Sequence, residues 1–205
     1  MVKRKAKLQP ELSQDAIRTA ALRLIDDDGL DAFSTRKLGA ALGCEAMAIY
    51  WYYPSKEALL DAIVDLLMED VAAAVVENGD WIATLRAVAH AYRRVAHAHP
   101  RAFPLLATRR FASEATYGFL ERLFELARLQ RIPDRVTARY YRVVSSYCSG
   151  FALNELAAAP PAPALRRKFP RVDAVARWLA PEHLDDMFAF GLELQLAALV
   201  QEQAR

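Results

Sequence analysis

The chain has 205 residues, of which 54% are hydrophobic and 25% charged, so it contains enough apolar material for one or two globular domains and is not disordered throughout. Its 27 Lys and Arg residues against 25 Asp and Glu residues give a net charge of only +2, which excludes nucleic-acid binding by overall charge. Two cysteines, Cys44 and Cys148, are too few for a disulfide framework and indicate a reducing compartment.

The sequence favours a cytoplasmic protein that does not enter a membrane. No uncharged run approaches the roughly 18 residues of a transmembrane helix. The basic cluster of Lys3, Arg4, Lys5 and Lys7 is not followed by the apolar segment that a signal peptide needs.

Apolar residues recur at three- and four-residue spacings along nearly the whole chain, and strand-like alternation is almost absent, which predicts an all-α fold. The first four helices are expected at about 14–28, 35–42, 45–52 and 56–77. Serine N-caps begin three of them and glycine or proline ends three, namely Ser13, Ser34 and Ser55, then Gly29, Gly43 and Pro54. The second helix is expected to bury Leu38, Ala41 and Leu42.

The remaining helices follow a turn at Asn78-Gly79-Asp80. They are expected at about 81–99, 100–109, 113–130 and 133–158. A proline-rich break at 160–163 and a basic loop at 165–171 come next, then short helical stretches within 172–179 and a last helix from Pro181 to about 203. This pattern predicts a basic tail (1–10), a helix-turn-helix domain (11–56) and a helical second domain (57–205), linked by the helix at 56–77.

The stretch from Phe33 to Lys56 reads FSTRKLGAALGCEAMAIYWYYPSK. Two short helices joined by a tight turn at Gly43 make a helix-turn-helix, and Ile49 is expected to point inward from the second of them. The outward face of that helix is apolar and aromatic, and carries Ala46, Met47, Ala48, Tyr50, Trp51 and Tyr52. Such a surface is a liability unless it meets a partner.

This stretch resembles the N-terminal DNA-binding domain of the TetR family of repressors. The likeness covers about residues 12–63 and is carried by Thr35-Arg36-Lys37-Leu38, Leu42-Gly43, Ile49-Tyr50-Trp51 and the residues from Ser55 to Leu60. The remainder resembles the C-terminal domain of the tetracycline-repressor branch at Gly79-Asp80-Trp81, Ala107-Thr108-Arg109 and Ser149-Gly150-Phe151-Ala152-Leu153. The resemblance implies a DNA-binding transcriptional regulator, by family default a repressor, that binds a near-palindromic operator as a homodimer and is released by a small-molecule inducer. Activation uses the same DNA contacts and stays open.

The resemblance also implies which residues contact DNA. Tyr50, Trp51 and Tyr52 would contact phosphates and sugars, and Lys56 would pair with a phosphate. Thr35 would cap the second helix or touch a phosphate, Arg36 would reach a base or a phosphate, and Lys37 would also belong to the DNA-binding surface. Ala46, Met47 and Ala48 would face base edges. The last three have no hydrogen-bonding side chain, so they suit thymine methyls and leave direct reading to Arg36, with DNA shape contributing the rest. Three alternatives stay open: core packing for the aromatic run, a solvated position for Arg36, and a solubilising role rather than DNA contact for the tail.

Two helices of the second domain, 133–158 and 181–203, carry more apolar residues than a helix with one solvent-exposed face would. In the resembled family they form a four-helix bundle with a partner chain, which implies a dimer interface here at Phe151, Phe188, Gly191, Leu192, Leu196 and Leu199. The alternative is a core within the chain.

A ligand cavity between the middle helices is expected from an apolar set rich in tyrosine, made of Tyr92, Phe103, Leu106, Phe111, Tyr117, Tyr140, Tyr147 and Asn154. Buried tyrosine hydroxyls need partners, and a ligand can be one, although each residue fits an ordinary core equally. No metal and no cofactor are expected, because His90 and His97 are seven residues apart on one helix. The places that hold the drug's magnesium in tetracycline repressors fall near Leu105 and Asn154, so tetracycline–magnesium is not implied as inducer.

No nucleophile elbow, P-loop, dinucleotide turn or zinc-protease motif occurs, which argues against an enzyme. The alternative to a regulator is a helical small-molecule carrier or partner-binding protein on the same fold that does not bind DNA.

Overall fold

The computed structural model describes residues 12–109, 113–157 and 167–203. All regular structure within these ranges is helical, so the predicted all-α class is confirmed. None of the helices in these ranges is long and apolar enough to cross a membrane. The predicted basic tail lies outside the described residues.

The first four helices are α1 (Gln14–Asp28), α2 (Thr35–Leu42), α3 (Ala46–Tyr50) and α4 (Lys56–Ala72). The serine hydroxyls of Ser13, Ser34 and Ser55 accept hydrogen bonds from the backbone N–H groups three residues on, at 3.0–3.3 Å, and so cap α1, α2 and α4 as predicted. Gly43 ends α2 in the left-handed region, with φ of 70°. Helix α4 ends about five residues before the predicted position.

The later helices are α5 (Trp81–Ala98), α6 (Phe103–Arg109), α7 (Glu114–Leu129), α8 (Asp134–Ala157), α9 (Pro170–Ala176) and α10 (Leu184–Gln203). Short 3-10 turns at Arg177–Leu179 and Pro181–His183 join α9 to α10. Helix α9 begins inside the predicted basic loop because Pro170 occupies its first turn, where a missing N–H costs nothing.

The described residues pack into two compact units. The first contains residues 12–70 together with His99–Gly118, and the second contains Val71–Ala98 with the chain from Phe119 onward. The division drawn from the sequence at residue 56 therefore differs from the packing, because most of α4 and the segment 99–118 belong with the helix-turn-helix.

The core of the first unit is made of aliphatic side chains from α1 to α4, namely Ile17, Ile25, Leu38, Ile49, Leu59 and Ile63. Polar contacts tie segment 99–118 to this core. His99 Nδ1 lies 2.7 Å from Asp26, and Arg109 donates to Asp61 at 3.0 Å. The expected burial of Ala41 is wrong: α2 buries Leu38 and Gly39, and Ala41 is exposed.

In the second unit, α5, α8 and α10 pack against one another. An ion pair stabilises their junction: Arg93 donates two hydrogen bonds to Glu155 at 2.9 and 2.5 Å, and its guanidinium lies 5.0 Å from the centre of the Phe188 ring. The Tyr147 hydroxyl donates to the carbonyl of Phe188 at 2.9 Å, which holds α8 to α10.

Candidate nucleic-acid interface

The position of α3 depends on a close approach between two backbones. A Cβ atom on Gly39 of α2 would lie 2.8 Å from the carbonyl oxygen of Cys44 and 3.1 Å from the backbone nitrogen of Ala46. Glycine therefore lets α2 and the start of α3 touch directly. Ile49, which is fully buried, anchors the other side of α3 in the core.

This anchoring leaves the opposite face of α3 open to solvent. Trp51 is 88% exposed and Met47 67% exposed, and Tyr50 is also exposed. Ala46 and Ala48 are half-buried. The structure thus brings five of the residues predicted to contact DNA onto one accessible surface, whose large side chains are mostly apolar.

The tyrosine hydroxyls next to this surface have partners within the chain. Tyr50 and Thr35 hydrogen-bond through their hydroxyls at 3.3 Å, and the hydroxyl of half-buried Tyr52 donates to the carbonyl of Leu12 at 2.7 Å. Tyr53 donates to the carbonyl of Gln14 at 3.0 Å, and burial raises the pKa of its hydroxyl. These contacts fasten the start of α1 to the end of α3. Sequence reasoning did not identify these two contacts: it predicted DNA contact for Tyr52, with core packing of the aromatic run as the open alternative, and gave no partner for Tyr53.

The predicted cations lie at the first turns of α2 and α4. Arg36 is exposed and makes no ion pair with any described residue. Lys37 pairs with Asp28 at 3.1 Å. Lys56 donates to the carbonyl of Phe33 at 3.4 Å and lies 5.6 Å from the centre of its ring.

The charge around these cations is otherwise acidic. Between residues 12 and 70 the sequence contains five Lys and Arg residues against eleven Asp and Glu residues. Phosphate contacts by residues 12–70 therefore depend on where individual cations lie, since the net charge of this stretch is negative.

The predicted dimer residues require a correction. Phe188, Leu192, Leu196 and Leu199 are buried within their own chain, so these side chains are not available to a partner. The Tyr147 hydroxyl covers Gly191, and the half-buried Phe151 ring packs on Phe188 with centroids 5.3 Å apart.

Helix α10 is apolar on two faces, and the sequence period does not show which face meets the core. The exposed large apolar residues of α8 and α10 are instead Val143, Leu153, Phe190, Leu194 and Val200.

The predicted ligand residues are divided between the two units. Phe103 and Leu106 are buried in the first unit, where Tyr117 is 62% exposed. Asn154 is exposed on the second unit. Exposure of Tyr117 and Asn154 corrects the expectation that they line a cavity. Phe111 lies outside the described residues.

Three of the four predicted tyrosines, Tyr92, Tyr140 and Tyr147, have hydroxyl partners within the second unit. Tyr92 hydrogen-bonds Ser149 at 3.1 Å, and Tyr147 donates to the backbone of α10. Burial and then a hydrogen bond to Glu202 raise the pKa of Tyr140. Because these hydroxyls already have hydrogen-bond partners in the chain, they do not need a ligand as a partner.

A polar groove of about 610 Å³ lies on the second unit, lined by His90, Arg93, Arg94, His97 and Asp185. Burial, followed by the charges of Arg94 and Arg93, lowers the pKa of His90. Such a lining suits a charged group better than an apolar one. The described residues contain no cluster of three or more His, Cys, Asp or Glu side chains placed to hold a metal ion.

A helix-turn-helix whose second helix presents an open face, followed by a larger helical unit, defines a helical DNA-binding transcriptional regulator. Residues 17–63 match the model "Bacterial regulatory proteins, tetR family", and residues 75–202 match "Tetracyclin repressor-like, C-terminal domain". The chain belongs to the TetR family.

Relatives agree with this assignment. An HTH-type transcriptional regulator of Saccharopolyspora erythraea is 34% identical over 109 residues, which are 53% of this chain and 46% of that protein, so the chain matches about half the length of this relative. The tetracycline repressor protein class G of Vibrio anguillarum is 25% identical over 95% of this chain and 96% of its own. The crystal structure of the Streptomyces coelicolor TetR family protein ActR in complex with actinorhodin is similar with a TM-score of 0.72 and 25% identity, covering 95% of this chain and all of that one.

Proposed function

We propose that this protein is a transcriptional repressor that binds a near-palindromic operator as a homodimer and is released by a small-molecule inducer. The observation that carries the proposal is the open face of α3, where Met47 and Trp51 are exposed while Ile49 anchors the helix. Exposed side chains of this size need a partner surface, and a helix held in this way fits the major groove. The names of the class G tetracycline repressor and of the ActR–actinorhodin complex support repression and small-molecule response.

The DNA contacts of the proposal are those predicted from the sequence. Ala46, Met47 and Ala48 face base edges, Arg36 reaches a base or phosphate, and Trp51 contacts the backbone. The remaining proposed contacts are made by Thr35, Lys37, Tyr50, Tyr52 and Lys56. Phosphate contacts fix the register of the protein on the duplex, and base contacts determine which DNA sequence is bound. The hydroxyl bonds of Tyr50 and Tyr52 add a structural role, because they hold α3 in place for those contacts.

The proposed dimer uses the exposed faces of α8 and α10. Four exposed residues with small or medium-sized side chains recur every three or four residues along α8 and so lie on one face of it. They are Val143, Ser146, Gly150 and Leu153. Phe190 and Leu194 provide the matching apolar positions of α10. A two-fold dimer supplies one recognition helix for each half-site of a near-palindromic operator, whose half-sites are roughly 34–36 Å apart.

The inducer is proposed to bind the helical second domain. Of the predicted ligand residues, Tyr92, Phe103, Leu106, Phe111, Tyr140 and Tyr147 stay a prediction, while Tyr117 and Asn154 are set aside because they are exposed. The groove beside Arg94 is a further place where a charged inducer group would find a partner, since Arg94 makes no ion pair with a described residue.

Selection of bound duplexes from a random DNA library, followed by titration of the selected site at several salt concentrations, tests the proposal. We expect enrichment of a near-palindromic site, binding of two chains to it, and an affinity that falls steeply as salt rises. Absence of an enriched site, with only weak binding to any duplex, would reject DNA recognition and favour a small-molecule carrier. Release of the selected DNA by candidate ligands then identifies the inducer.

A further inference from the structure

The residues of α3 proposed to face base edges have apolar side chains with almost no capacity for hydrogen bonding. Ala46, Met47 and Ala48 are consecutive on the helix and carry no polar side-chain group except the weakly accepting sulfur of Met47. Met47 is the long side chain among them, and two thirds of its surface is open to solvent. Its unbranched, polarisable chain adapts to an irregular apolar surface.

Neighbouring polar groups are largely engaged elsewhere. The Tyr50 hydroxyl is held by Thr35, the Tyr52 hydroxyl by Leu12, and the Lys37 ammonium by Asp28. Two exposed polar side chains remain beside α3 within the described helix-turn-helix, Arg36 and Glu45. Glu45 makes no capping hydrogen bond, and its carboxylate is repelled by the phosphates that flank the groove.

The major groove displays one apolar group, the 5-methyl of thymine, and Arg is suited to the O6 and N7 acceptors of guanine. We propose that α3 reads its half-site mainly through thymine 5-methyl groups, with Met47 as the principal contact and Arg36 as the hydrogen-bonding reader. This inference rests on the proposed function, because it requires an operator. It has a chemical consequence: 5-methylcytosine carries a methyl group at the same ring position, so this surface accepts 5-methylcytosine where it rejects cytosine.

Deoxyuridine substitution tests the inference, since uracil differs from thymine by the loss of that methyl group alone. Each thymine of the selected operator is replaced in turn, and affinity is measured at one salt concentration. We expect a loss of about fourfold for each methyl group that contacts α3, from the transfer energy of one buried carbon, and no loss at thymines outside the half-sites. At a contacted position we also expect cytosine to bind more weakly than 5-methylcytosine opposite the same guanine.

The Met47→Ala variant identifies the contacting residue. Met47 is exposed, so the substitution leaves the core intact. In the Met47→Ala variant, deoxyuridine at the position that Met47 contacts should reduce affinity little further. The Arg36→Gln variant should retain the full loss of affinity on deoxyuridine substitution, but should no longer distinguish guanine from other bases at the position that Arg36 contacts. Failure to obtain any operator would reject the proposed function. A specific operator that tolerates deoxyuridine at every half-site thymine would overturn methyl reading while leaving the repressor proposal intact.

Discussion

Gly39 sets the distance between the two helices of the helix-turn-helix. A Cβ atom there would meet backbone atoms of Cys44 and Ala46, which cannot move as a side-chain end can. We expect Gly39→Ala to lower the free energy of unfolding by about 1–3 kcal/mol through overpacking, and to weaken operator binding further by displacing α3. Denaturant unfolding and DNA titration measure the two effects.

Gly118→Ala is the matched control, because a Cβ atom on Gly118 of α7 would meet no atom within 4 Å. Alanine restricts the unfolded chain more than glycine does, so we expect the free energy of unfolding to stay the same or to increase by up to about 1 kcal/mol. Equal behaviour of the two variants would contradict the close approach of α2 and α3.

Residue-scale prediction succeeded where the cause is local. The caps Ser13, Ser34 and Ser55 act within one turn, so the sequence near each of them predicts a helix start. The hydroxyl bonds of Tyr52 and Tyr53 join positions about 40 residues apart in the chain. No spacing rule reveals such a contact before the fold is known, so the sequence left both DNA contact and core packing open for the aromatic run.

At the scale of elements, Arg93 and Glu155 join α5 to α8 as a nearly buried pair, with the Glu155 side chain only 4% exposed. Burial alone would raise the pKa of Glu155, but the hydrogen bonds and charge of Arg93, with a smaller contribution from His97, overcome it and lower that pKa below its ordinary 4.5. The pair therefore contributes stability above pH 4.5, and this contribution is lost as pH falls through the lowered pKa.

Arg93→Ala should reverse this dependence. Burial then acts with little opposition, the pKa of Glu155 rises, and the variant becomes less stable as pH increases through that raised value. We expect a loss of about 3 kcal/mol at neutral pH, because a buried carboxylate is left without its main partner, and a smaller loss near pH 5. Unfolding free energies at both pH values measure the difference.

Arg128→Ala provides the comparison, since Arg128 pairs with Glu125 at 2.6 Å on the open surface of α7. Solvent screens that pair, so we expect little change in stability at either pH. A loss for Arg93→Ala no larger than for Arg128→Ala would show that the junction of α5 and α8 does not depend on the ion pair.

Element type was predictable, but the orientation of elements was not. The apolar spacing gave helices close to the observed bounds, except where α4 ended early at Ala72 and α9 began at Pro170. Helix α10 carries apolar residues on two faces, and its predicted dimer stripe of Leu192, Leu196 and Leu199 is the one that packs inside the chain. A period identifies a stripe, but the neighbours that cover it are set by tertiary packing.

Across the whole molecule, cations are outnumbered by acidic residues within 12–70, so each cation of the helix-turn-helix that contacts a phosphate should contribute measurably to the salt dependence of DNA binding. Lys56→Gln removes one cation per chain at the start of α4, or two in a dimer. We expect the slope of log affinity against log salt to become shallower by about 2. Arg23→Gln removes an exposed cation on α1 and is the control; it should leave the slope unchanged, because Arg23 is not among the residues proposed to contact DNA.

The oligomeric state depends on which apolar surface remains open after folding. Leu194 is 58% exposed on α10, in line with the exposed Phe190 one turn earlier, so an aspartate there leaves the core untouched but places a charge in the proposed four-helix bundle. We expect Leu194→Asp to fold normally and to sediment as a 23.0 kDa chain at concentrations where the parent sediments at twice that mass.

Val76→Asp is the matched control, because Val76 is similarly exposed, at 63%, but lies in the link between α4 and α5. It should remain dimeric. Operator affinity should fall for Leu194→Asp alone, since two half-sites bound by one dimer gain from each other and two separate chains do not. A dimeric Leu194→Asp variant with parental operator affinity would place the interface on another surface, and the two-faced character of α10 would then need a different partner.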